Sequence, residues 1–298
     1  MNAKSAPRPP SLLQVDPALS ILRLAALSAG PGGALDEETV DIMLEQVEAG
    51  ALNGMVAAEA WPELVCGLMA QTPSNMLRAL YACGALTVVL PEVAALFGVP
   101  QIADDPPQVD IGYHLLRVLD EAAACDAPLA VRFAALVMNI GKSDSPPEHL
   151  PIHYRHVERG HPRIAALCER FGVPQDCLEL ALLALPECER VHRVSEVRAG
   201  PVAAMLVRLG AFDRTERFEQ LMLLCACDYR AYGGHASQIY PKAVLLGIAL
   251  ASCAGIDETG LVAGPGAADG MDALQEARAA AIAVAFRSER WSDEAAGD

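Results

Sequence analysis

Seven histidines and one isolated aspartate are the side chains of this sequence best suited to acid–base or ligand chemistry. Five of the histidines lie between residues 149 and 192, and Asp228 interrupts the apolar run LCACDYR. A buried carboxylate needs a hydrogen-bonding partner, a metal or a helix terminus. A single histidine is most often an ordinary structural residue. Four of these residues are spread over several predicted helices: His114, His156, His192 and Asp228. A shared role explains this group better than coincidence.

Two pairs of residues in this region have helical spacing. His153 and His156 are three residues apart, and Cys188 and His192 are four apart, so each pair shares one face of a helical turn. Cys225 and Cys227 are two apart in an apolar helical run, so their side chains point to different faces. With no second cysteine pair at metal-ligand spacing, these two thiols do not predict a metal site.

The segment LVMNIGKSDSPPEHLP (136–151) places a polar Asn139 where the helix is still apolar. Its IGKSD part resembles the end of a phosphate-binding loop. That loop requires a glycine five residues before Gly141, where Leu136 stands, and it also requires a preceding strand. We therefore reject a phosphate-binding loop here.

The elements that must position these residues are helices. Apolar residues make up 53% of the 298 residues, alanine and leucine dominate, and no alternating run is long enough to predict a strand. Asp16-Pro17 is a strong helix start, Ser74 is a plausible helix cap, and a further helix is predicted from about Tyr113 to Cys125. The fold class predicted is all-α, with many helices separated by proline and glycine.

The charge distribution and the cysteines limit the functional classes. The net charge is −16, which argues against strong non-specific nucleic-acid binding. Residues 153–235 hold 11 Lys+Arg and 11 Asp+Glu, so only this region can offer phosphates a favourable surface. Nine scattered cysteines, no signal peptide and no membrane-length apolar run predict a cytoplasmic protein.

The order of short motifs resembles the HD-domain metal-dependent phosphohydrolases. The similarity is closer to the HD region of bacterial CCA-adding tRNA nucleotidyltransferases of the multifunctional kind, and it runs from about Asp16 to near Ser252. It is carried by LPEVAALFGVPQ, VDIGYHLL, RFAALVMNIGK, SPPEHLPIHYRH, CERVH and CDYRAY. The resemblance implies that His114, His156, His192 and Asp228 stand at metal-ligand positions.

Two departures from that family decide the predicted function. Met138-Asn139 stands where the family has its His-Asp pair, and a thioether is a poor ligand for a hard cation. Cys188 likewise replaces a family histidine. The chain also has no Asp-x-Asp pair, which the family's transferase head uses to hold two Mg²⁺ ions. At most one divalent ion (Mg, Mn, Ni or Zn) is expected to bind, weakly, at the remaining positions.

The resemblance also implies a division of the chain. We expect a disordered N-terminus (1–15), a helical neck and body similar to an RNA-binding domain (16–100), a degenerate HD domain (101–255), and a linker with a C-terminal helix (256–298). The residues expected to contact phosphate or RNA are Lys142, Arg155, Arg159 and Arg230.

Three functions fit these observations. The first is a non-catalytic RNA-binding or regulatory module, with tRNA or another RNA as partner. The second is an active phosphohydrolase of the 2′,3′-cyclic phosphodiesterase or phosphatase type, with a non-standard ligand set. The third is the body subunit of a split tRNA nucleotidyltransferase, which would require a separate head; a homodimer is a further assembly. No membrane partner is expected.

Overall fold

The computed structural model describes residues 16–103, 106–195, 198–236, 238–256 and 267–295. The predicted disordered segment (1–15) lies outside these ranges, as do residues 257–266 of the predicted linker. Within them most residues are helical and the strands are two short ones, which confirms the all-α prediction. The helices are α1 (Pro17–Ser28), α2 (Glu37–Glu48), α3 (Ala57–Leu68), α4 (Pro73–Ala82), α5 (Ala85–Val89), α6 (Pro91–Ala94), α7 (Ile111–Ala124), α8 (Leu129–Val137), α9 (His156–Phe171), α10 (Gln175–His192), α11 (Ala199–Arg208), α12 (Thr215–Arg230), α13 (Pro241–Ser252) and α14 (Ala267–Ala295).

Capping residues set several helix starts. Asp16 accepts a hydrogen bond from Ala18 N (2.9 Å) at the start of α1, and Pro17 occupies the first turn, as the sequence predicts. The cap predicted at Ser74 is wrong, because α4 already begins at Pro73. The backbone N–H of Ser74 lies in the first turn and donates to Asp120 Oδ1 of α7 (3.0 Å). A proline favours the first helical position, so the cap lies at Thr72, two residues before Ser74.

The helices pack in three groups around one continuous apolar core. Helices α1, α3 and α4 form the N-terminal group, and α7, α8, α9, α10 and α12 form the centre. Helices α11, α13 and α14 form the third group. Two three-residue strands, β1 (Pro100–Ile102) and β2 (Gln108–Asp110), pair antiparallel just before α7. All nine cysteines are free thiols. None of the described helices has the length and hydrophobicity that a bilayer-spanning segment requires.

A buried arginine connects the N-terminal group to the centre. Arg132 of α8 is only 4% exposed. Its Nη1 donates to the carbonyl oxygens of Leu68 and Ala70 (both 2.9 Å), and its Nε donates to Ala127 O (2.8 Å). Leu68 ends α3, so the guanidinium satisfies carbonyls that a helix end leaves without intrahelical partners. The sequence analysis did not single out this residue.

We predict that Arg132→Met destabilises the protein by about 2–4 kcal/mol, because each buried carbonyl that loses its donor costs about 1–3 kcal/mol. Chemical denaturation followed by circular dichroism measures this change. Arg117→Met is the matched control, since Arg117 is exposed on the adjacent helix α7. Equal stability losses in the two variants would contradict the assigned role of Arg132.

Candidate functional site

Asp228 lies at the point where α7, α10 and α12 meet. This residue is 6% exposed. Oδ1 accepts a hydrogen bond from His114 Nε2 of α7 (2.9 Å), and Oδ2 accepts one from His192 Nε2 at the end of α10 (3.0 Å). The expectation that a buried carboxylate requires partners is thus met by two imidazoles from separate helices.

The ionisable side chains at this junction shift one another's pKa values. Burial would raise the pKa of Asp228, but the hydrogen bonds from His114 and His192 hold that pKa well below its usual range. Burial would lower the pKa of His192, but Cys188 and Asp228 raise it to about 10. The junction is therefore an ion pair of imidazolium and carboxylate near neutral pH. His114 is fully buried, and its Nδ1 has no hydrogen-bond partner within the described part of the chain.

A cavity of about 570 Å³ opens beside this junction. Its wall includes His156, His192 and Asp228, three of the four residues at predicted ligand positions. The fourth, His114, lies behind the wall, where it contacts two lining residues, Asp228 and Tyr232. His156 Nδ1 donates to His153 O (2.8 Å), and its Nε2 is 3.8 Å from Glu189 Oε1.

Met138 and Asn139 also line the cavity. Both are buried, with 4% and 7% exposure, between the end of α8 and a 3₁₀ turn at Ile140–Lys142. The thioether of Met138 is a soft and weak donor, and the amide of Asn139 carries no charge. This part of the wall therefore offers neither an imidazole nor a carboxylate to a hard cation.

The four residues predicted to contact phosphate or RNA are not all at the cavity. Lys142 lines it, but its Nζ is held by Glu189 Oε1 (2.8 Å) and Gln101 Oε1 (2.7 Å). Arg155 lines the cavity at its rim, and its side chain is 76% exposed. Arg159 lies behind the rim, where it donates to Gly141 O, Tyr154 O and Ser145 Oγ.

Arg230 lies away from the cavity. Its guanidinium donates to Gln238 O (3.0 Å) and contacts Cys125 Sγ (3.1 Å) on the opposite side of α12. The RNA-contact role predicted for this residue stays a prediction.

The chain was compared with protein families and with curated proteins. No family model matches it. A Multifunctional CCA protein of Chromobacterium violaceum is 41% identical over 92% of this chain and 67% of that protein. The chain belongs to the multifunctional CCA protein family. Its relative in Cupriavidus necator is 40% identical over 83% of this chain and 61% of that protein. The relative in Nitrosospira multiformis is 40% identical over 80% of this chain and 57% of that protein.

These relatives confirm the family resemblance and make the chain a tRNA nucleotidyltransferase-related protein. The chain spans between 57% and 67% of the length of the three relatives described above. The HD-domain assignment and the ligand roles of the four candidate residues stay predictions.

Sequence reasoning missed two members of this site. Cys225 Sγ lies 3.6 Å from Cys188 Sγ, and the hydroxyl of Tyr240 lies 2.7 Å from His192 Nδ1. The spacing of Cys188 and His192 was a readable signal, and their Sγ and Nε2 atoms are 3.5 Å apart. The approach of Cys225 depends on how α12 packs against α10, which no local spacing encodes.

Gly141 allows the 3₁₀ turn to approach the first turn of α9. A Cβ at this position would lie 2.0 Å from His156 O and 2.7 Å from Gly160 N. Both are backbone atoms, so the clash cannot be relieved by a side-chain rotation. The glycine thereby fixes where His156 stands at the cavity wall.

We predict that Gly141→Ala lowers the free energy of unfolding by about 1–3 kcal/mol, the usual cost of overpacking a tight contact. Thermal unfolding measures this change. Gly247→Ala is the matched control, because Gly247 lies in α13 with open space around its Cα. Alanine there should stabilise the helix by about 0.5–1 kcal/mol. A neutral or stabilising Gly141→Ala would contradict the close approach.

Proposed function

We propose that this chain acts as a non-catalytic, RNA-binding module of the multifunctional CCA protein family. The observation that carries the proposal is the buried Met138-Asn139 pair in the cavity wall, at a place where a hydrolytic metal site would need charged or imidazole ligands. Without them, a pair of hard cations that activates water has too few anionic ligands.

The remaining polar groups of the cavity are largely engaged with one another. Asp228 is hydrogen-bonded to two imidazoles, and Lys142 is paired with Glu189. Groups paired in this way stabilise the packing of the helices around the cavity. They are less available to a reacting phosphate than unpaired groups, because each would first have to leave its partner.

The proposed RNA contact is supported by arginines around two adjacent cavities. Arg193 lines both the main cavity and a second one of about 430 Å³, and its side chain is 77% exposed. The second cavity is lined by three further arginines, Arg190, Arg198 and Arg208. Together with Arg155 these side chains form an arginine surface in the one region where charges balance. Such a surface suits a phosphate backbone, and the names of the relatives suggest tRNA as the first RNA to test.

We predict that charge reversal at the cavity rim weakens tRNA binding. Arg155→Glu combined with Arg193→Glu should lower the affinity and reduce the slope of log K against log salt by about 1 for each phosphate that the variant no longer neutralises. Fluorescence anisotropy across a salt series measures both quantities.

Arg214→Glu is the matched control for this experiment. Arg214 is exposed and paired with Glu179, much as Arg155 is exposed and paired with Glu158, but it lies outside the two cavities that Arg193 lines. An equal effect of the control, or salt-independent binding, would count against an arginine surface for RNA.

A metal-dependent phosphohydrolase is the second candidate, favoured by the fact that His156, His192 and Asp228 line one cavity. We predict no turnover of 2′,3′-cyclic AMP or of phosphomonoesters by the purified chain with Mg²⁺, Mn²⁺ or Ni²⁺. The absence of charge at Asn139 is the reason. Turnover that disappears in a His114→Ala variant would establish the second candidate and overturn the first. A Met138→His/Asn139→Asp variant tests whether the missing pair alone accounts for inactivity.

A further inference from the structure

Two thiols and one imidazole from α10 and α12 converge beside the main cavity. Cys188 Sγ lies 3.6 Å from Cys225 Sγ and 3.5 Å from His192 Nε2. All three ligand-type atoms lie within 4.8 Å of one another. Cys225 is fully buried, and Cys188 is 6% exposed.

These separations match the edges of a zinc coordination tetrahedron. With Zn–S distances of about 2.3 Å and Zn–N distances of about 2.0–2.1 Å, tetrahedral angles place two sulfurs about 3.8 Å apart and a sulfur and a nitrogen about 3.6 Å apart. The observed distances of 3.6 and 3.5 Å differ from these values by no more than the tolerance expected of a real site. One cation could therefore contact all three atoms with little movement of either helix.

A carboxylate beside His192 and an outer shell are also present. Asp228 Oδ2 is 3.0 Å from His192 Nε2, close to the separation of two ligands on one small cation. The hydroxyl of Tyr240 contacts His192 Nδ1 (2.7 Å), and His114 Nε2 holds the other oxygen of Asp228 (2.9 Å). Such partners fix the orientation of a ligating imidazole and a ligating carboxylate.

We propose that Cys188, His192 and Cys225 bind a single zinc(II) ion. Thiolate ligands select zinc over magnesium or manganese, and a coordinated thiol loses its proton outright. Binding would replace the proton that His192 Nε2 shares with Asp228, and it would release the protons of the two thiols. Cys188, His192 and Asp228 line the main cavity, which gives the ion a route in from solvent.

Three protein ligands are in position. The Asp228 carboxylate would complete the tetrahedron only after a side-chain movement, because it lies outside the group of mutually close donors. The ion would join α10 to α12 at the floor of the cavity. This inference does not rest on RNA binding, and its test uses no RNA.

The first test measures metal on the intact wild-type chain. After reduction, incubation with zinc and gel filtration, elemental analysis should find one zinc per chain. Cobalt substituted for zinc should show thiolate-to-cobalt charge-transfer bands and the intense visible bands of tetrahedral coordination. Zinc should also protect Cys188 and Cys225 from alkylation, as mapped by mass spectrometry.

Variants then assign the ligands. Cys188→Ser and Cys225→Ser should each weaken zinc affinity by more than about 100-fold, since loss of an outer-shell partner alone costs about 10–100-fold. Tyr240→Phe should fall in that lower range. Cys227→Ser is the matched control: Cys227 is as fully buried on α12 as Cys225 but points to a different face. Its zinc affinity should be unchanged.

Several results would overturn the proposal. The proposal fails if the chain retains no zinc after gel filtration, or if the cobalt spectrum lacks sulfur charge-transfer bands. It also fails if Cys188 and Cys225 form a disulfide instead of taking up metal. An equal loss of zinc in Cys225→Ser and Cys227→Ser would assign the effect to folding and would also overturn it. Because the cobalt spectrum and the alkylation map use wild-type protein, a variant that fails to fold leaves the proposal testable.

Discussion

One buried negative charge constrains the centre of this molecule. Asp228 can stay ionised in an apolar helix only because two imidazoles, from α7 and α10, approach its two oxygens. Three helices must therefore meet at one point, and the cavity forms beside that point. The close approach of Gly141 to α9 and the contact of Cys188 with Cys225 both depend on the same helix positions.

The chemistry of the cavity follows from which donors remain there. Hard cations prefer oxygen ligands, and the cavity wall has a thioether and an amide at Met138-Asn139. The nearest dense group of donors is instead soft, with two thiols and one imidazole. The proposed role of the arginines at the rim rests on a different property, long-range attraction for phosphate, which does not require those donors.

The sequence predicted much of this structure because many of its signals are local. The Asp16-Pro17 start, the all-α class and the shared face of Cys188 and His192 each follow from spacing within a few residues. Predicting the site also required the family resemblance, because His114 and Asp228 are 114 residues apart in the sequence. Arg132, Cys225 and Tyr240 escaped prediction because their partners are brought close only by packing between helices. Ser74 shows a remaining local error, a two-residue shift of a helix cap caused by Pro73.

The hydrogen bonds of Arg132 have a consequence for local opening. The last turn of α3 cannot separate from α8 unless a buried guanidinium loses its acceptors at Leu68 and Ala70 together. Amide protons at the end of α3 and in α8 should consequently exchange with solvent through one shared opening event. The N-terminal helices and the central helices then behave as one cooperative unit for hydrogen exchange, although each group has its own helix-to-helix contacts.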